Sequence, residues 1–231
     1  MATDFTSERY ARNMTSITAA EQALLADCRV LVVGAGGLGS HVLEGLARLG
    51  VGHISVCDPD VIEASNLNRQ LLALETTIGR PKAELARERA AQVNSEVEVR
   101  AYQEAFPSAR LEAELGSADL AIDCLDSIEA RLVLEARCHE AGVPLVYGSI
   151  AGAYIYVGVS TAENPLVRGQ AQAQGGASLE AELGNPYPTV SIAAGLQLEL
   201  ALKVLLGRAH PAQGFYVCDL AGFTLDFIDL H

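Results

Sequence analysis

One stretch limits what this chain can fold into. Residues 30–60 read VLVVGAGGLGSHVLEGLARLGVGHISVCDPD. Residues 29–33 are an apolar, β-branched run that predicts a strand. Gly34, Gly36 and Gly39 then fit the pattern G-x-G-x-x-G. Val42, Leu43, Leu46 and Leu49 recur at helical spacing over 40–49, and Gly50 stops that helix. Residues 53–57 predict a second strand, which ends at Asp58. Strand, glycine turn, helix, strand and acid make a nucleotide-binding βαβ unit. The glycines let backbone N–H groups approach a phosphate, and the helix N-terminus favours its charge. An acid at the next strand end can hold ribose hydroxyls. The glycine motif suits NAD, FAD and ATP equally, so the residues beyond Asp58 have to choose among them.

The rest of the chain extends the unit. Upstream, Arg9 and Arg12 lie three residues apart and read as solvated surface. Thr18 and Glu21 stand at capping-box spacing for a short helix over 18–26. Residues 59–70 are polar and too irregular for a strand. A helix is predicted from Pro81 to about Val93. Lys82 falls in its first turn, where a cation gains nothing from the helix dipole, which hints that it serves a ligand. A strand with an exposed face over 96–102, a short helix over 110–115 and a buried strand over 118–124 come next. The buried strand leads into Asp123, Asp126 and Ser127, at a strand end where open α/β sheets bind ligands. Asp60 and Asp123 serve equally well as simple strand ends. A helix over 128–141 closes at Gly142, and 144–147 is the next strand. The expected fold is therefore α/β: a Rossmann-like, doubly wound, mostly parallel sheet with helices on both faces.

The pattern changes after residue 150. Residues 154–160 alternate and predict a strand outside the parallel run. Residues 162–188 lack periodicity, and a loop of that length is usually functional or disordered. An apolar helix over 190–206 and a hairpin of strands 215–218 and 223–228 add antiparallel strands at the C-terminal end. The expectation is one domain across 1–231. It comprises an N-terminal helical segment (1–27), a nucleotide-binding core (28–150) and a terminal portion with the loop, the apolar helix and the last strands (151–231).

Composition removes some functions. Half the residues are hydrophobic, so the chain has a sizeable core. A formal charge of −13 disfavours nucleic acid or an anionic membrane as main partner. No apolar run reads as long enough to span a bilayer, and the polar N-terminus is no signal peptide, so a cytoplasmic protein is expected. The five cysteines include no C-x-x-C pair, which predicts reduced, buried thiols and no zinc site. The histidines show no metal spacing.

The polar residues near the strand ends are Asp58, Asn66, Arg69, Lys82 and Asp126, with Arg12 as a further candidate. A hydride-transfer enzyme gains little from two extra cations at the phosphates. An enzyme that cleaves ATP between the α- and β-phosphates needs them, because Arg and Lys offset the charge of departing pyrophosphate. It also needs a carboxylate for Mg²⁺. Two other readings stay open: an NAD-dependent oxidoreductase, resting on the glycine pattern and Asp58, and a non-catalytic dimer that binds nucleotide or a carrier.

Taken together, these pieces resemble the E1-like activating enzymes of the ThiF/MoeB/HesA family. The matching segments are residues 9–13 (RYARN), 34–40 (GAGGLGS), 58–60 (DPD), 65–70 (SNLNRQ), 79–82 (GRPK) and 123–127 (DCLDS), in family order and at family-like spacing. The resemblance implies an adenylyltransferase. Such an enzyme uses Mg-ATP to adenylate the C-terminal glycine of a small ubiquitin-like sulfur carrier of the ThiS/MoaD kind, releasing pyrophosphate. It implies that Gly34, Gly36, Gly37 and Gly39 form the nucleotide turn and that Asp58 holds the ribose. It further implies that Asn66, Asn68, Arg69, Lys82 and Ser127 line the nucleotide and that Asp126 binds Mg²⁺. Arg12 would reach the ATP of the partner subunit in a homodimer, and residues 162–188 would be the crossover loop over the carrier's tail. The carrier carboxylate is then the nucleophile. Ser127 stands where the family usually has Asn, the loop has no cysteine, and the family's paired zinc cysteines are missing. The resemblance thus implies adenylation without a covalent enzyme intermediate, without zinc, and with sulfur from a separate donor protein.

Overall fold

A computed structural model describes residues 6–13, 16–168, 182–210 and 213–230. Two short pieces begin the chain: α1 (Thr6–Arg9) and α2 (Ala19–Asp27). The βαβ unit comes after them as β1 (Arg29–Val33), α3 (Gly37–Leu49) and β2 (His53–Cys57). Next come α4 (Lys82–Val93), β3 (Glu98–Tyr102), α5 (Ala109–Leu115), β4 (Leu120–Asp123), α6 (Ile128–Ala141) and β5 (Leu145–Ala151). The chain closes with β6 (Tyr154–Ser160), α7 (Tyr187–Leu205), β7 (Phe215–Asp219) and β8 (Thr224–Ile228).

The strands form one eight-stranded sheet in the order β3-β2-β1-β4-β5-β6-β7-β8. β1 pairs in parallel with β2 and β4, β2 with β3, and β4 with β5. The order reverses between β1 and β4, the crevice where a doubly wound sheet takes its ligand. β6, β7 and β8 then run antiparallel to their neighbours. The expected Rossmann-like sheet and its antiparallel extension are both present.

Strand periodicity divides the core in two. On β1, Val30 and Val32 join one apolar cluster with α3, α4 and α7 side chains. Leu31 and Val33 point the other way and pack with Leu111 and Leu115 of α5 and Leu134 and Cys138 of α6. A strand covered on both faces reads as a continuous apolar run because successive side chains alternate sides.

Three boundaries differ from expectation. α3 begins at Gly37, three residues before the expected start at Ser40, because a glycine turn leads straight into helix. β5 runs to Ala151, since β6 pairs with its whole length, from Leu145↔Ser160 to Ala151↔Tyr154. α7 begins at Tyr187 with Pro188 in its first turn, where a missing N–H costs nothing, so the loop is shorter at that end. Residues 169–181 of the loop lie outside the described residues. The 19-residue α7 is also long and apolar enough to cross a membrane by length and composition, which corrects the sequence reading. Glu199 and Lys203 interrupt its apolar run without lowering its mean hydropathy below 1.3. In the fold it packs against α3, β4, β5 and β6.

The N-terminal segment is fastened to the far ends of α3 and α4. Arg9 donates to the Val93 carbonyl at 2.7 Å, and Asn94 donates to the Tyr10 hydroxyl at 2.9 Å. Arg12, just beyond, is exposed. The Thr18 box predicted from sequence is formed, with Glu21 N–H donating to Thr18 Oγ at 3.3 Å and Thr18 N–H to Glu21 at 2.8 Å. Those Thr18 bonds, aided by Arg208, hold the Glu21 carboxyl down from 4.5 to about 2. A lowered carboxyl contributes stability above pH 4.5 that is lost as pH falls toward 2. Thr18→Ala is expected to cost about 1 kcal/mol at pH 7. The substitution keeps the backbone N–H to Glu21, so urea unfolding should show only the hydroxyl's part of the deficit shrinking as pH falls through that window; a pH-independent deficit would rule out a hydroxyl contribution to the Glu21 linkage.

Candidate active site

The C-terminal ends of β1, β2 and β4 and the start of α7 surround a cavity of about 330 Å³. The glycine turn forms its floor. Gly34 has φ +98°, and a Cβ there would stand 2.5 Å from the Cys124 carbonyl oxygen, so only glycine fits. Gly36 is the N-cap of α3 and supplies no side-chain cap. The first N–H groups of the helix therefore await an outside acceptor, and the helix dipole favours an anion there. Gly36 and Gly37 line the cavity. Gly39 does not: a Cβ on it would lie 1.9 Å from the Gly34 carbonyl oxygen, so it serves the close packing of turn and helix.

Asp58 directly succeeds β2 and is buried. One carboxylate oxygen accepts the Ala35 N–H at 2.7 Å and the other accepts the Asp60 N–H at 2.9 Å. Burial pushes this carboxyl up, while the Ala35 N–H and the charge of Lys82 act in the opposite direction. Lys82 is the first residue of α4. Its buried ammonium meets Asp60 Oδ2 at 3.0 Å, and its backbone N–H donates to the Asp60 carbonyl at 3.0 Å. Asp60 thus does more than end a strand: it holds the misplaced cation on the cavity wall.

Arg69 reaches the same wall. Its guanidinium is steadied by the Ser65 carbonyl at 3.1 Å and by Asn68 Oδ1 at 2.9 Å. Asp126, exposed in the β4–α6 turn, faces the cavity from the opposite strand. The turn rests on buried groups. Asp123 accepts the Leu125 N–H at 2.9 Å and lies 3.8 Å from Arg131, while Gln197 of α7 donates to the Asp123 carbonyl at 2.7 Å. Asp123 is therefore part of the scaffold under Asp126.

The structure brings Gly34, Gly36, Gly37, Asp58, Arg69, Lys82 and Asp126 to one cavity. It leaves five sequence candidates off the wall, Gly39 and four polar residues. Asn66 caps its own turn, accepting the Glu63 N–H at 3.1 Å. Asn68 supports Arg69. Ser127 is the N-cap of α6, accepting the Ala130 N–H at 3.2 Å. Arg12 stays at the surface of the N-terminal segment. Three polar cavity residues went unmarked in the sequence, Gln70, Glu104 and Asn185. Gln70 could have been found from its place after Arg69 in a segment already singled out; nothing around Asn185 distinguishes it from other loop residues.

A glycine turn, an uncapped helix start and two cations at a topological switch point define a doubly wound nucleotide-binding protein. The chain belongs to the ThiF family, which matches residues 10–231. It is 35% identical to the molybdopterin-synthase adenylyltransferase of Escherichia coli over 84% of this chain and 79% of that one. It is 33% identical to the sulfur carrier protein adenylyltransferase of Thermus thermophilus over 90% of this chain and 80% of that one. Among solved structures it is similar to PaaA (TM-score 0.78, 22% identity, covering 97% of this chain and 83% of that one). It is also similar to E. coli MccB crystallised with ATP (TM-score 0.77, 21% identity, 96% and 70%). At those identities the structures show the shared fold. Family and relatives make the chain an E1-like activating enzyme, an adenylyltransferase, and set the oxidoreductase and non-catalytic readings aside.

Proposed function

We propose that this enzyme adenylates the C-terminal glycine of a small ubiquitin-like sulfur carrier with Mg-ATP and releases pyrophosphate. The observation that carries this reading is the single cavity holding the α3 N-terminus, Asp58, Lys82, Arg69 and Asp126. The helix start and the two cations suit a polyphosphate. Asp58 has lone pairs left for ribose hydroxyls after its two backbone bonds. Asp126, a carboxylate open to the cavity, suits Mg²⁺, which takes one or two carboxylates and shares the phosphate oxygens. The metal would offset charge as the α–β bond breaks. The chain's own task is to align the α-phosphorus with the carrier carboxylate and to stabilise the leaving pyrophosphate with Lys82 and Arg69. The carrier as substrate is supported by relatives named for it, among them the sulfur carrier protein ThiS adenylyltransferase of E. coli, 34% identical over 62% of this chain.

The reaction needs no enzyme nucleophile. Cys28, Cys57, Cys124 and Cys138 are buried, and burial pushes all five thiols up, Cys57 and Cys138 to about 12. Reactive cysteines have lowered values, so this pattern favours adenylation without a covalent step. The reading also takes the enzyme to be a cytoplasmic homodimer, with Arg12 reaching the partner's nucleotide and a separate protein supplying sulfur. Exchange of labelled pyrophosphate into ATP should depend on a carrier ending in Gly-Gly. Lack of exchange with every such carrier would refute the proposal. Enzyme mixed with Mg-ATP and carrier is expected to form no thiol-labile enzyme–carrier conjugate; a conjugate that disappears when the five cysteines are changed to Ala or Ser would count against the non-covalent route.

A further inference from the structure

α7 carries a polar residue where its pattern calls for an apolar one. Val190, Ala193, Ala194, Leu200 and Ala201 form its buried apolar stripe, and Gln197, 0% exposed, interrupts it. Room for the carboxamide comes from Gly148 of β5, where a Cβ would stand 2.4 Å from both Cδ and Nε2 of Gln197. The β4–β5 ladder ends at Ile122↔Val146, so Asp123 follows the last paired residue. There Gln197 Nε2 donates to the Asp123 carbonyl at 2.7 Å. That carbonyl can only accept, which fixes the orientation of the amide. The other end, Oε1, is buried with no hydrogen-bond partner among the described residues. An apolar side chain of this length would fill the space without leaving part of an amide unmet, which is destabilising. Packing alone therefore does not account for Gln197.

The bond it makes does account for it. That bond is one of three buried grips on a short piece of backbone. Gln197 holds the Asp123 carbonyl, the Asp123 carboxylate holds the Leu125 N–H at 2.9 Å, and Arg131, 4% exposed, donates to the Leu125 carbonyl from Nε and Nη2. The next residue is Asp126, exposed and on the cavity wall. A metal-binding carboxylate is only as well placed as the groups behind it, and those groups tune affinity without touching the metal. We infer that Gln197 is a positioning residue for Asp126: from the core helix α7 it fixes the backbone that aims this carboxylate into the cavity. This deepens the adenylation reading and rests on it, because the cation that accompanies the nucleotide is what the aimed carboxylate would meet.

The test is ATP binding by calorimetry on the full chain, with Mg²⁺ and with a chelator in its place. Gln197→Met replaces the amide by an apolar side chain of similar length. With Mg²⁺ it should weaken ATP binding about tenfold to a hundredfold, the scale of losing a group that orients a metal ligand. Without metal, ATP binding should stay at the wild-type level. Gly148→Ala displaces the same side chain from the β5 side and should show the same pattern, so the test stands if either variant folds poorly. In an Asp126→Ala background Gln197→Met should cost nothing further, because its effect passes through that carboxylate. Equal losses with and without metal, no loss in either variant, or additive losses in the double variant would overturn the proposal alone. Wild-type ATP affinity indifferent to Mg²⁺ would overturn it together with the metal role of Asp126. Wild-type protein that binds no ATP would overturn the adenylation reading as well.

Discussion

Asp126→Ala is expected to lower carrier-dependent ATP–pyrophosphate exchange by about three orders of magnitude, the scale of losing one preorganised charge-stabilising group. Its unfolding temperature should not move. The two halves of this expectation come from separate observations. Asp126 lines the cavity but is exposed, and it makes no hydrogen bond or ion pair among the described residues. Its removal therefore orphans no buried partner. The turn that carries it is held by Asp123, Arg131 and Gln197, which the substitution leaves in place. Asp126→Asn keeps the volume and loses the charge, and should lose nearly as much activity. Titrating Mg²⁺ separates the metal role from a steric one, since a weakened metal site is partly rescued by more metal. Exchange at wild-type rate in Asp126→Ala would remove the metal assignment.

The scaffold was legible where local and global preferences agree. The apolar run of β1, the glycine turn and the spacing of Val42, Leu43 and Leu46 all demand the same βαβ unit, and α6 begins and ends where its Ser127 cap and Gly142 place it. The antiparallel strands after residue 150 were readable from the alternating sequence of β6 and from the turn residues that separate β7 from β8. The full length of β5 was not, because its extension beyond 147 depends on pairing with β6, a partner that no local pattern names. The site was partly legible for the same reason. Charged residues stand out in an apolar chain, so Arg69, Lys82 and Asp126 were found. Gln197 and Asp60 act through position: one is a neutral side chain bonded to the end of β4, the other an acid that gains its role from the Lys82 ammonium 3.0 Å away. Asn66 shows the converse. A polar residue in a segment full of candidates is used by the backbone of its own turn.

The same distinction between motif and role makes the glycines separable by experiment. Gly39→Ala is expected to destabilise the fold by about 3 kcal/mol or more, near the top of the range for overpacking. The added methyl would stand 1.9 Å from the Gly34 carbonyl oxygen, 2.7 Å from the Gly34 carbonyl carbon and 3.3 Å from Cys124 Cβ. Two of those atoms are backbone of the turn itself, so relief requires α3 to draw back from β1 and β4. That would loosen the apolar cluster that α3 shares with α7. Gly36→Ala should behave differently. Its methyl would meet only the flexible end of Gln70, at 3.6 Å, an ordinary contact. Its cost to folding should stay under about 2 kcal/mol. It projects instead toward the space that a phosphate on the helix start would need, so ATP affinity should fall while the fold persists. Urea unfolding and ATP calorimetry on the two variants would check this. Equal losses of stability would mean that the turn acts as one packing unit. A Gly36→Ala protein with wild-type ATP affinity would place the phosphates elsewhere in the cavity.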